Sequence, residues 1–358
     1  MKKLQKMLNL TLQEWNWVLY DIGNSAFILL VTAIVPIYFG SLTSAAGLTE
    51  DQRFAYWGYG LSIATIVVAL IGPICGTLAD HRGFKKPLFT ACMALGAVGC
   101  AALGAAWSWL SFLAIFVVAK IGFSSSLVFY DAMLPEITTE ERMDNVSSMG
   151  YALGYIGSVI PFVVCLVIVL NAQGFGLTTG MATTYGSSLG LDSTGLLLAL
   201  LVTQIVAFPC SILFGKLSNR YDTALLIKIC IVCYAGIALF GVFLQSLWQF
   251  WVLAVVVGMF QGGIQALSRS YLGKIIPAER SGEYFGLMDI FGKGADAMGP
   301  ALVALTTDLM GNHTVHFFGA ELKGQNVGVG CLVVLFAIGF VLLTKADRLN
   351  KERRTAKV

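Results

Sequence analysis

Ionisable side chains stand inside long apolar stretches of this 358-residue chain, where each needs a physical reason to persist. Asp21 lies in the stretch 14–40, Lys120 in 109–133, and the stretch 283–309 carries Asp289, Lys293 and Asp296. A charge at the centre of a bilayer costs at least about 2.5–3.5 kcal/mol on insertion scales. Spacings of four and three residues put the last three on one helix face, which must turn to protein or to a water-filled cavity. One reading is that Asp21, its neighbour Asn24, Lys120 and this stripe line a path for a polar solute, with one carboxylate exchanging protons. The other is that the stripe is a self-neutralising network that locks a helix bundle. Gln261 and Gln265 share a face of 247–272, suited to hydrogen-bonding a polar solute or a neighbouring helix. Arg269, about one turn from the end of that stretch, is expected to snorkel toward water or to serve the same path.

The elements that position these groups follow from composition. The chain is 57% hydrophobic and 12% charged, whereas a soluble domain carries roughly 25% charged residues. Long continuous apolar runs exclude the weak alternation of a membrane β-barrel and point to an all-α polytopic membrane protein. Ten spans are expected, at 14–40, 54–79, 87–107, 109–133, 148–170, 192–216, 224–244, 247–272, 283–309 and 326–344. Short connections make neighbours antiparallel. Lys and Arg crowd one set of connections, including Arg82, Lys85, Lys86, Arg142, Lys216, Arg220, Lys274, Arg280 and the segment 345–358, while the opposite set holds Arg53 and Lys323. The positive-inside rule puts the crowded set in the cytoplasm. With an even number of spans, both termini lie there too, at the inner (plasma) membrane. The basic start is separated from the first strong apolar run, which argues against a cleaved signal peptide.

Several chemistries are disfavoured. The eight cysteines fall in apolar segments, and the Cys230/Cys233 pair has no partner pair, so they read as packing residues. His313 and His316 are too few ligands for zinc. Asn312-His313-Thr314 fits a glycosylation acceptor. No zinc-hydrolase, nucleophile-elbow or phosphate-loop motif occurs, which disfavours an ATP-driven pump and an embedded hydrolase. No catalytic residue, metal, cofactor or nucleic-acid partner is expected, and the oligomeric state is left open.

The segment Gly76-Thr77-Leu78-Ala79-Asp80-His81-Arg82-Gly83-Phe84-Lys85-Lys86 is a charged turn between two spans. It resembles the loop between the second and third helices of the major facilitator superfamily of secondary transporters, except that His81 stands where a basic residue is usual. Phe214-Gly215-Lys216-Leu217-Ser218-Asn219-Arg220-Tyr221 is a degraded copy of it. Gly76 to Gly215 is an offset of 139 residues and Pro135 to Pro277 one of 142, so the halves are parallel repeats. Projecting the first span forward by that offset lands on the fifth span and a polar loop. The chain therefore keeps five of the usual six helices in each half and lacks the central two, near 175–181. A re-entrant segment within 171–191 is the alternative. The expected organisation is a bundle over 1–172, an outer connection over 173–191, a bundle over 192–344 and a basic tail over 345–358. That tail is suited to solvent or anionic lipid.

Tyr20-Asp21-Ile22-Gly23-Asn24-Ser25-Ala26-Phe27, Gly150–Tyr155, Leu201–Pro209 and Gly262–Ser270 resemble the branch related to the autophagy-related vacuolar amino-acid effluxers, including its bacterial members. This resemblance implies transport of a small polar solute, amino acids first, by alternating access across the lipid bilayer with a coupling proton or ion. It also implies that Gly76, Asp80, Arg82, Gly83 and Lys86 form a conformational switch. In it, Asp80 pairs with basic groups or with the start of 283–309. The rival expectation is a degenerate or receptor-like protein of the same fold that does not transport.

Overall fold

The computed structural model describes residues 2–171, 193–244, 246–310, 315–317, 320–322 and 324–355, with the side chains of a few of these, Asp296 among them, outside the description. Residues 172–192, where the missing pair and the re-entrant alternative were placed, and Asn312 and His313 lie outside it. Helices dominate the described residues: α1 (Lys2–Met7), α2 (Leu12–Ala33), α3 (Val35–Ala45), α4 (Glu50–Ala79), α5 (Lys85–Ala102), α6 (Trp109–Ala132), α7 (Leu134–Ile137) and α8 (Met143–Asn171). After the undescribed stretch come α9 (Ser193–Leu217), α10 (Thr223–Val242), α11 (Leu247–Ile275), α12 (Ser281–Met310) and α13 (Gly324–Thr355). A two-stranded antiparallel hairpin, Val315–Phe317 with Ala320–Leu322, joins α12 to α13.

Among the described residues, eight helices are long and apolar enough to cross a membrane, and the bent pair α2–α3 makes a ninth. The expected span 14–40 is thus two helices, bent by 40°. Pro36 sits in the first turn of α3 and has no N–H with which to continue α2. The remaining expected span is α12, whose 30 residues are long enough but carry the charged stripe. Helix starts are built from local chemistry. Thr11/Glu14, Thr49/Gln52 and Ser108/Ser111 form reciprocal capping boxes on α2, α4 and α6, satisfying amide donors that the first turn leaves unpaired.

Two compact units emerge. The first comprises the residues up to 140, the 157–171 half of α8 and Ile276–Lys293, which includes the start of α12. Its core is Val31, Phe39, Phe112, Leu113 and Phe116, with Trp57 stacked on Phe116 at 4.6 Å. Here α6 is central and α5 peripheral: 61% of the apolar window of the former is buried against 6% of the latter. They approach closely through glycine, since a Cβ on Gly99 would sit 2.7 Å from the Ala119 Cβ. The second unit holds the 141–156 start of α8, α9 to α11 and the rest of α12 with α13. There Gly258 meets the Thr203 carbonyl across the α9–α11 contact. In the same unit α13 lies along α10, tied by Asn326 Nδ2 to the Val242 carbonyl at 2.8 Å and by Lys228 to Asp347 at 2.8 Å.

Candidate functional site

The charged loop is the best-built polar site of the first unit. Asp80 caps the C-terminus of α4. Its two carboxylate oxygens accept the Gly282 N–H at 2.7 Å and the Glu283 N–H at 2.9 Å. These amides open α12 and have no partner within their own helix, so a carboxylate there is favoured by hydrogen bonding and by the helix dipole together. Lys85 reinforces the contact. Its ammonium lies 3.5 Å from Asp80 and 2.6 Å from Glu136 of α7, and it donates to the Ser281 hydroxyl at 2.8 Å. The Ser281 hydroxyl in turn donates to the Ala132 carbonyl at 2.8 Å. Asp80 and Lys85 side chains are only 11% and 10% exposed, so their attraction is screened little by water.

Backbone proximity makes this possible. A Cβ at Gly76 would run into the Gly282 carbonyl, and one at Gly286 would lie 2.8 Å from the Gly72 carbonyl. Two Gly-x-x-x-Gly pairs, Gly72/Gly76 and Gly282/Gly286, therefore face each other where α4 meets α12, a recurrent device for close helix approach in membranes. Gly83 has φ +86°, a left-handed conformation that costs other residues about 1–2 kcal/mol, and it turns the chain from α4 into α5. Arg82 and Lys86 are exposed, whereas Lys85 is buried. The basic residue that makes the contact is thus one that the sequence reading left out, together with Glu136 and Ser281. The paired Gly-x-x-x-Gly spacings are the signal in the sequence from which this crossing could have been read. On the exposed flank Arg280 pairs with Glu283 at 2.7 Å, and that hydrogen-bonded carboxylate holds the guanidinium above its ordinary pKa.

The second unit carries the copy in weakened form. Gly215, offset by 139 from Gly76, packs against Ser148, where a Cβ would lie 2.7 Å from the serine Cβ. Asn219, at the same offset from Asp80, accepts a neutral hydrogen bond from Asn145 at 2.8 Å. The charge sits instead on Asp144, which takes Lys274 at 2.6 Å and the Thr223 hydroxyl at 2.7 Å.

The other expected residues divide between the units. In the first, Asp21 is buried and accepts from the Asn24 amide at 3.4 Å. Lys120 is half-buried. Asp289 and Lys293 form an ion pair one turn apart, and Asp289 lies against Gly72 of α4. Gln261 and Gln265 belong to the second unit, where Gln265 receives the Tyr155 hydroxyl. Arg269 does not snorkel. It is 3% exposed, donates to the Ser147 hydroxyl at 2.9 Å and carbonyl at 3.0 Å, and stacks 4.2 Å over the Tyr151 ring. Ring face and oxygens stabilise the buried guanidinium.

A cavity of about 410 Å³ opens within the first unit between α2, α5 and α6. Asn24, Tyr20, Phe27, Gly96, Phe123 and Ser126 line it, and none of its described lining residues is charged.

Comparison with known proteins places this geometry in a lineage. The family described as vacuole effluxer Atg22 like matches residues 52–186 and 173–348. The uncharacterized MFS-type transporter YxiO of Bacillus subtilis (strain 168) is 35% identical, over 94% of this chain and 95% of the relative. Autophagy-related protein 22 of Coccidioides immitis (strain RS) is 25% identical over 52% of this chain, an alignment that spans 33% of that relative. Among solved structures, a bacterial homologue of the iron transporter ferroportin in an outward-facing state superposes with a TM-score of 0.67 at 13% identity, covering 94% of this chain and all 100% of the other. The proton:xylose symporter XylE superposes with a TM-score of 0.64 at 11% identity, covering 91% and 94%. The alignment to the Bacillus relative runs over 419 positions, 61 more than the 358 residues of this chain. At least 61 positions of that alignment therefore have no counterpart in this chain. The two family matches overlap at 173–186, where the sequence reading put the missing pair.

Proposed function

The chain belongs to the vacuole effluxer Atg22-like family and is a multi-pass, major facilitator-type transporter by kinship and fold, and from that premise we propose that it moves a small polar solute by alternating access. Amino acids are the favoured cargo, and the energy comes from a proton or ion gradient across the plasma membrane. Asp21, Lys120, Asp289, Lys293 and Asp296, with Asn24, Gln261 and Gln265, line the path in this reading. Gly76, Asp80, Arg82, Gly83 and Lys86 form the switch, two five-span bundles over 1–172 and 192–344 move against each other, and both termini face the cytoplasm.

One observation carries the proposal. Asp80 is held by two backbone amides and one ammonium rather than by a covalent or apolar lock. Each such hydrogen bond to a charge contributes about 1.5–3 kcal/mol, a contact strong enough to define a state and weak enough to release it. A non-transporting role is the second reading; it would be favoured if the central pair is lost as the repeat offset leads one to expect, since one of that pair would wall the solute path in a twelve-span relative. Purified protein in liposomes, loaded with an amino-acid mixture under imposed proton and sodium gradients, separates the two. Gradient-dependent flux is expected, and Asp21→Asn should abolish it while leaving the protein monodisperse. A folded wild-type protein silent under every gradient would establish the non-transporting reading.

A further inference from the structure

We propose that the cavity between α2, α5 and α6 seats an acyl chain of an anionic phospholipid, whose phosphate rests on Lys86 and Arg82 at the adjoining turn. The proposal stands whether or not the chain transports a solute.

The walls of the cavity select an apolar occupant. Leu19, Phe27, Met93, Ala97 and Phe123 line it. The polar side chains among its lining residues are engaged within the protein. Asn24 turns its amide to Asp21 at 3.4 Å, and its carbonyl oxygen is buried. The Tyr20 and Ser126 hydroxyls lie 2.6 Å apart, and Ser126 donates to the Phe123 carbonyl at 2.6 Å. A charged group entering here would lose its water without gaining a partner. An alkyl chain loses nothing and gains dispersion contacts with the rings and aliphatic walls. The volume of about 410 Å³ lies within the range of small-molecule sites, about 300–1,000 Å³.

The headgroup end is marked by charge. Lys86, Thr90, Met93, Ala97 and Cys100 follow at spacings of four, three, four and three residues, which puts them on one face of α5. The last three line the cavity, and Lys86, Thr90, Met93 and Ala97 are exposed. At 1.5 Å per residue, Met93 and Cys100 lie about 10 and 21 Å along the axis from Lys86. The cavity therefore runs from within the leaflet on the side of the 76–86 turn toward the bilayer midplane, given a hydrocarbon core about 30 Å thick. Lys86 stands at the depth of the phosphates, where a lysine snorkels. Among the described residues no ion pair holds Lys86 or the exposed Arg82, in contrast to Lys85. Two basic groups at that depth attract an anionic head.

The open side has a structural origin. Helix α5 packs on α4 and α6, whereas its counterpart one repeat later, α10, packs on α11 and is covered by α13 as well. The corresponding apolar windows are 6% and 33% buried. The second unit covers this face with protein; on α5 the lipid chain takes that place.

The test is the thermal-unfolding midpoint of the full chain, stripped of lipid in a nonionic detergent, because a ligand of the folded state raises it. The probes are dioleoylphosphatidylglycerol, dioleoylphosphatidylcholine and glycerophosphoglycerol, the last being the anionic head without chains. Phosphatidylglycerol should raise the midpoint saturably, phosphatidylcholine should need about tenfold more, and the free head should have no effect. Lys86→Gln should raise the half-saturating phosphatidylglycerol concentration about tenfold, the weight of one charge-assisted contact. Gly23 lines the cavity with nothing within 4 Å of its Cβ position, so Gly23→Leu fills the space and should weaken both lipids at least as much. Ala97→Leu takes its place if that variant is not recovered folded. Lys345→Gln, on the exposed end of α13, should change nothing. Equal half-saturation by the two lipids, a rise with the free head, or an unmoved half-saturation in Lys86→Gln or in the cavity-filling variant overturns the proposal. So does a loss in Lys345→Gln as large as in Lys86→Gln, which would put the lipid on the tail.

Discussion

Asp80 and Lys85 are bound by different partners, so substituting them should have separable effects. In Asp80→Asn one oxygen still accepts an amide, but the charge that answers the α12 dipole and the Lys85 ammonium is gone. The expected loss is about 1–3 kcal/mol, seen as a fall of several degrees in the midpoint of thermal unfolding. Lys85→Met strands the Asp80 carboxylate beside a buried methylene chain and should cost at least as much. Lys86→Met, on an exposed neighbour, should shift the midpoint by no more than about 1 °C, since surface changes stay within about 0.5 kcal/mol. If Lys86→Met proved as damaging as Lys85→Met, the assignment of the buried partner would be wrong. Arg269 shows the same principle in the second unit: a cation can stay in the interior when oxygens and a ring face replace its water.

At the scale of elements, glycine sets the distance between helices. Gly76 meets the backbone of α12, and backbone cannot rotate out of the way. Gly76→Val should therefore separate α4 from α12 and break the Asp80 hydrogen bonds with them. Overpacking of this kind costs about 1–3 kcal/mol or more. Gly292 and Gly294 have open space around their Cβ positions, and Gly292→Ala should be tolerated or slightly stabilising through helix propensity. The check is the thermal midpoint of each variant, together with protease sensitivity of the 76–86 turn. A cleavage-resistant Gly76→Val protein with an unchanged midpoint would refute the close crossing. The bend between α2 and α3 follows the same logic from the opposite cause, a missing amide at Pro36 rather than a missing side chain.

For the whole molecule the proposed sense of insertion rests on the charge distribution. Arg and Lys on one set of connections outweigh Arg53 and Lys323 on the other, and the proposed orientation rests on this bias, which a loss of two spans would leave unchanged because parity is preserved. A green fluorescent reporter fused at the C-terminus should fluoresce in a bacterial host, and alkaline phosphatase at the same point should stay inactive. Fusions placed after Lys323 should give the reverse pattern. Active phosphatase at the C-terminus would mean that the number of spans is odd.

Composition and run length were enough to read a helical membrane protein with about ten spans, and the offset between two loop copies led to the expectation of a repeat with its centre removed. These are local or periodic properties, and lipid imposes them on each segment separately. The pairing of Asp80 with the first amides of α12 was also within reach, because a charged loop and a helix start are both written in short stretches of chain. Which lysine turned inward, why α12 came close enough, and where Arg269 found its oxygens were decided only when distant helices met. Lys85 and Lys86 differ by one position and about 100° of helix rotation, and nothing local says which direction holds a carboxylate.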